Sequence, residues 1–137
     1  GGCGEVGCVA GLLVRRGAAE GRGRVGHGAI FLPGATARFR GRAWYAAFAG
    51  AKHGLRALAQ SMARELGPKG IHVAHPIIDG AIDTEFIRET FPERYKLKDQ
   101  GGIIDPKNIA DTYWMLHQQP RSAWTHELDL RPWMESW

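Results

Sequence analysis

Lys52 is the residue best placed for chemistry on a helix, because Phe48, Ala51, Leu55, Leu58, Ala59, Met62 and Leu66 recur around it at helical spacing. An ammonium one turn from a phenol lowers the phenol's pKa from its ordinary value of about 10, which makes it usable for proton transfer near neutrality. One turn before Lys52 stands Phe48, which has no hydroxyl. Tyr45 lies two turns before it, on the same helix face but about 10 Å along the axis, so a packing or pocket-lining role is the expectation for it. His72 and His75 form an HxxH string inside an apolar, strand-like run; residues three apart on a strand point to opposite faces, so no shared metal is expected. Cys3 and Cys8 match neither a CxxC redox site nor a zinc knuckle and read as two thiols.

Two GxGxxG strings occur, Gly2 to Gly7 and Gly21 to Gly26. Such a string cradles a pyrophosphate only where a strand feeds it and a helix follows to aim its amides at the ligand. One residue precedes the first string and a strand-like run follows the second, so neither reads as a phosphate cradle.

The elements that must position these residues begin with a change in composition. Residues 1–28 hold ten of the 19 glycines, interspersed with arginine, and are set apart as an N-terminal segment; Val9, Leu12 and Leu13 suggest a short helix within Cys8 to Glu20. Residues 29–137 form the second unit. Ala29 to Leu32 reads as a buried parallel strand that ends at Pro33-Gly34. The Phe48 helix stops at Gly67-Pro68-Lys69-Gly70, and Ile71 to Ile78 reads as the next strand. A short helical patch spans Thr84 to Thr90, and a further helix opens with Asp105 as N-cap and Pro106 at its first position, running to about Gln119 with Ile109, Tyr113 and Leu116 inward. Thr125 to Leu130 is read as a final strand. This alternation argues for a right-handed parallel α/β layer.

Composition narrows the function classes. With 44% apolar residues over 137 positions the chain suits one soluble domain, and its apolar runs are far too short to span a bilayer. The net charge of +4 comes from scattered arginines without a basic, aromatic-interleaved stripe, so neither nucleic acid nor membrane is an expected partner, and a cytoplasmic location is expected.

Four segments taken together, Pro33-Gly34-Ala35-Thr36, Phe48-Ala49-Gly50-Ala51-Lys52, Gly70-Ile71-His72-Val73 and Asp79-Gly80-Ala81-Ile82-Asp83-Thr84, resemble the C-terminal half of a short-chain dehydrogenase/reductase in order and spacing. The resemblance covers about four fifths of the chain, from Ala29 onward. It implies a partial Rossmann-like, doubly wound parallel sheet comprising the last three strands with flanking helices. It also implies NAD(P)-dependent hydride transfer to or from a carbonyl or alcohol, in which a tyrosine exchanges the proton, a lysine assists it and holds the cofactor ribose, and a serine orients the carbonyl.

Carried onto this chain, the resemblance places Lys52 at the lysine and Phe48 at the tyrosine, where it is not competent. Ala35 falls at the serine position, with Thr36 beside it as a possible substitute. The family's upstream asparagine is unmatched, since Asn108 is the only asparagine in the sequence. Gly80, Ile82 and Thr84 match the loop that clamps the nicotinamide carboxamide, with Asp79 in place of the usual proline. The cofactor is therefore NAD or NADP by resemblance, with binding by this chain alone not expected, because the strand, glycine turn and helix that hold the adenosine and pyrophosphate have no counterpart before Ala29. The expected chain is a truncated, catalytically silent piece of such an enzyme, or alternatively a non-catalytic relative acting through subunit or partner binding. A homo-oligomer through the 45–67 helix and the C-terminal strand is the implied assembly, and the strand at Ala29 is expected to be an unpaired edge that favours association.

Overall fold

The computed structural model describes residues 12–15, 28–35 and 46–136. The strands are β1 (Leu12–Arg15), β2 (Gly28–Phe31), β3 (Gly34–Ala35), β4 (Ile71–Ile78) and β5 (Glu127–Leu130). The helices are α1 (Ala46–Leu66), α2 (Glu85–Thr90), α3 (Pro92–Tyr95) and α4 (Pro106–Gln118). They form an α/β unit around a mostly parallel sheet.

β4 is the centre of that sheet. β2 and β3 run parallel to it on one side and β5 runs parallel to it on the other. A strand covered on both faces needs an almost unbroken apolar run, and Ile71–Ile78 supplies one, buried from His72 through Ile77. Pro76 fits in this central strand because the neighbouring strand is interrupted at Leu32 and Pro33, opposite that position. The His75 amide points across to His126 O, so the amide that Pro76 lacks would have faced the interruption.

Alternate residues of β2 and β4 feed two cores. Ala29, Phe31 and Ala74 meet Tyr113 and Leu116 of α4, whereas Ile30, Leu32, Ile71 and Val73 meet Leu55, Ala59, Met62 and Leu66 of α1. The two helices therefore cover opposite faces. Both crossovers, β2 to β4 through α1 and β4 to β5 through α4, step the same way across the sheet, so they have opposite hands. The uniformly right-handed layer expected from the element order is thus corrected: one crossover is left-handed. The long excursion from Asp79 to His126 makes this possible, because it carries the chain round the end of β4 before α4 forms, which a tight connection does not allow.

Two further expectations change at the N-terminal side. Leu12–Arg15 forms a strand where the spacing suggested a helix, and it pairs antiparallel with β2 from Leu12↔Phe31 to Arg15↔Gly28. The ladder offered by the edge of β2 outweighs a helical pattern weakened by Gly11 and Gly17. The edge at Ala29 is accordingly paired, and among the described residues the sheet has five strands instead of three. The rest of the 8–20 segment lies outside the described residues.

Local chemistry explains the helix boundaries. Gly67–Lys69 continues α1 as a 3₁₀ turn, and Gly70, at φ 82°, donates its amide to Gly67 O at 2.9 Å. Asp105 caps α4, accepting the Lys107 amide at 2.8 Å, with Pro106 at the first helical position. Arg56 of α1 reaches Glu127 of β5 through two contacts of 3.0 and 3.3 Å, tying the helix across the last strand.

Candidate active site

The carboxyl ends of the parallel strands gather the candidate residues, which is where open α/β sheets place their ligands. β4 runs straight into Asp79 and the 79–84 loop, and β5 ends at Leu130 beside it. The Asp79 amide donates to Leu130 O at 2.8 Å, extending the β4–β5 ladder by one bond. Proline, the residue the family pattern favours here, cannot make that bond. The Asp79 carboxylate lies 3.4 Å from the Arg131 guanidinium, which also reaches Asp129 at 3.5 Å, with the Asp79 and Arg131 side chains only 13% and 18% exposed. Asp79 therefore replaces a conformational restraint with a hydrogen-bonded one.

The rest of the loop is held as firmly. Gly80 has φ 143°, and a Cβ there would lie 2.7 Å from the Pro132 ring, so only glycine fits. Ile82 bridges Ile104, with Asp83 N donating to Ile104 O and Ile104 N to Ala81 O, each at 2.8 Å. In that parallel pattern the N–H of Ile82 points away from Ile104. Thr84 caps α2: its hydroxyl accepts the Ile87 amide at 3.3 Å and donates to Ile82 O at 3.3 Å. One acceptor lone pair of that hydroxyl is still unused.

Asp83 is paired with Lys98 at 2.8 Å. The hydrogen bond from Lys98, helped by one from Tyr95, holds the Asp83 carboxyl below its ordinary range, and Asp83 in turn raises the Lys98 ammonium. This pair borders a cavity of about 440 Å³ whose lining includes Asp105, Asn108, Arg131 and Trp133.

Lys52 lies on α1 one turn before Leu55, on the stripe that packs on the sheet, and is half-buried. Because α1 starts from the carboxyl edge and its far end, Leu66, packs with Ile71 at the opposite edge, Lys52 belongs to the same end of the sheet as the 79–84 loop. Phe48 occupies α1 one turn earlier, with its ring outside what the structure describes. Thr36 and Tyr45 also lie outside the described residues. Gly80, Ile82 and Thr84 are thus brought together in one pinned loop, with Lys52 on the neighbouring helix. His72 and His75 each bind a carbonyl, Thr125 O at 2.7 Å and Leu32 O at 2.5 Å. Among the described residues no group of three or more His, Cys, Asp or Glu is arranged to hold a metal, and no helix is long and apolar enough to cross a membrane.

Sequence reasoning missed Arg131, Lys98 and Tyr95. Tyr95 ends the short α3, and Lys98 opens a polar stretch with no periodic pattern. Arg131 meets Asp79 across 52 positions, and the only hint was a charged residue directly after the last strand.

The family model described as enoyl-(acyl carrier protein) reductase matches residues 12–127. The chain belongs to the short-chain dehydrogenase/reductase family. It is 48% identical to a short-chain dehydrogenase from Rhodopseudomonas palustris, over 78% of this chain and 39% of that one, with a TM-score of 0.56. A closed form of serine dehydrogenase complexed with NADP+ shares the fold at 18% identity and TM-score 0.65, over 81% of this chain and 46% of that one. So does an NADPH-bound short-chain oxidoreductase from Pseudomonas aeruginosa PAO1 with an atypical catalytic center, at 19% identity and TM-score 0.62, over 78% and 46% of the two chains. The chain therefore spans less than half the length of these dehydrogenases. No curated protein matches it in sequence.

Proposed function

We propose that this chain is the nicotinamide-side portion of an NAD(P)-dependent oxidoreductase acting on a carbonyl or alcohol, and that it is inactive by itself. The observation that carries the reading is the pinned 79–84 loop at the carboxyl edge of a sheet whose family is shown. Its geometry suits a nicotinamide: the outward N–H of Ile82 is the donor a carboxamide oxygen needs, and the spare lone pair of Thr84 accepts from the carboxamide nitrogen. Lys52 supplies the cation for a ribose hydroxyl. When bound, the nicotinamide exchanges hydride with the substrate carbon. Phe48 cannot exchange the accompanying proton, and losing a positioned acid or base lowers rates by about 10²- to 10⁴-fold. Thr36 is the hydroxyl assigned to orienting the carbonyl. The nucleotides named in the neighbouring structures support NAD or NADP as cofactor.

The test is to join the chain to an upstream strand, glycine turn and helix of a short-chain dehydrogenase and titrate NADPH. Saturable binding that is weakened by Lys52→Met and by Thr84→Val is expected. A joined protein that folds but binds no nicotinamide nucleotide overturns the reading.

A second reading, a non-catalytic protein acting through subunit contacts, draws on Leu58, 45% exposed on α1, and on Trp133, 78% exposed just beyond β5. It proposes a homo-oligomer through the 45–67 helix and the C-terminal strand. Sedimentation equilibrium checks it: a concentration-dependent mass that Leu58→Glu returns to monomer supports it, and a monomer at every concentration refutes it.

A further inference from the structure

Residues 131–135 follow β5 and cross two segments that are distant from them in the chain. Arg131 meets Asp79 at 3.4 Å. The Pro132 ring and the Glu135 carboxylate lie over Gly80, where a Cβ would come within 2.7 and 3.4 Å of them. Trp133 donates Nε1–H to Gln100 O at 3.0 Å, and the Met134 sulfur lies over Gly102, 3.0 Å from where a Cβ would be. Glu135 accepts from Arg94 of α3 through both carboxylate oxygens, each at 3.2 Å. Gly80 and Gly102 lack the Cβ that would hold the crossing chain off.

The segments beneath are tied to one another. Thr84 ends the loop and caps α2. The rings of Phe86 in α2 and Phe91, between α2 and α3, meet edge to face at 6.4 Å. Lys98, in the 3₁₀ turn Lys96–Gln100, pairs with Asp83 at 2.8 Å. The Gly102 amide donates to Leu97 O and the Ile104 amide to Ala81 O, each at 2.8 Å. Residues 80–104 are thus one connected layer, with the crossing chain as its outer fastening. That fastening is largely in water, since Trp133 is 78% exposed and the Arg94 side chain 51%. Hydrogen bonds and ion pairs so placed are individually weak. β4, in contrast, is buried from His72 through Ile77 between two helices. Elements held by exposed contacts open at lower free energy than a buried strand.

We propose that residues 131–135 are a strap that keeps the 80–104 layer closed on the sheet, and that strap and layer open together as one unit while β4 stays closed. That the strap thereby governs a nicotinamide site rests on the proposed function. The opening itself does not, and it is followed without nucleotide, so either can fail while the other stands.

Amide hydrogen exchange of the full chain, followed residue by residue by NMR, tests it. Trp133→Ala removes the bond to Gln100 O, and Arg94→Met removes the pair with Glu135. Each is expected to speed exchange throughout 80–104 by about three- to tenfold, the loss of one weak contact, and to leave β4 unchanged. The amides of Asp83 and Ile104 are decisive, because neither variant touches the bonds they make. Unchanged exchange of the layer in either variant would overturn the proposal, showing that 80–104 is held by its own backbone. Acceleration confined to residues beside the substitution would overturn it as well, and so would equal acceleration of β4, which would make the strap part of one global unit.

Discussion

Asp79 stands where the family's pattern has proline, and this chain fixes the position by contacts of its own. Its amide and carboxylate together fix the exit from β4 against Leu130 and Arg131. Arg131→Met leaves the mostly buried Asp79 without that guanidinium, and a loss of about 2–3 kcal/mol is expected. That is below the roughly 3–5 kcal/mol of fully buried pairs because both ends keep some exposure. Urea denaturation measures it, and a loss under about 0.5 kcal/mol would show that the loop is held by its backbone alone. Tyr113 gives a pH prediction. Burial against Phe31, at 5.4 Å between rings, raises its phenol pKa above the ordinary value. A raised folded-state pKa means that the unfolded chain ionises first, so the stabilisation is complete below about pH 10 and is lost as pH rises through the folded value. Stability should fall on the alkaline side, and Tyr113→Phe should flatten that fall in melts followed between neutral and alkaline pH.

At the scale of elements, the two helices that sandwich the sheet depend on different contacts. Leu116 is fully buried between α4 and β2, so Leu116→Ala should cost about 2–5 kcal/mol, whereas Leu58→Ala on the outer face of α1 should cost under about 0.5 kcal/mol. Asp105→Ala removes the α4 cap and should cost about 1 kcal/mol. Denaturant midpoints of the three variants rank them, and an equal loss at Leu58 and Leu116 would contradict the packing described.

The elements were readable where the chain's own chemistry decides them. Apolar spacing gives α1 and β4, and Asp105-Pro106 gives the start of α4 almost to the residue. Leu12–Arg15 was not readable, because it is a strand by virtue of the β2 edge beside it. The left-handed crossover was not readable either, since element order carries no information about which face a helix covers.

For the whole molecule, the sheet and its family were carried by the order of four short segments, each weak alone. The candidate residues readable from local spacing were Lys52 and the 79–84 loop, which the fold places at one end of the sheet. The loop's long-range supports, Arg131 on Asp79 and Lys98 on Asp83, are contacts between segments with no periodicity to betray them. The same scale decides activity. A nicotinamide nucleotide distributes its binding over an adenosine and pyrophosphate half and a nicotinamide half, and in the proposed function Lys52 and the 79–84 loop serve the second alone. Fluorescence titration of NADPH into the isolated chain measures this directly. A linear, unsaturated response is predicted; saturable binding with a stoichiometric end point would contradict it and make this chain a complete cofactor site.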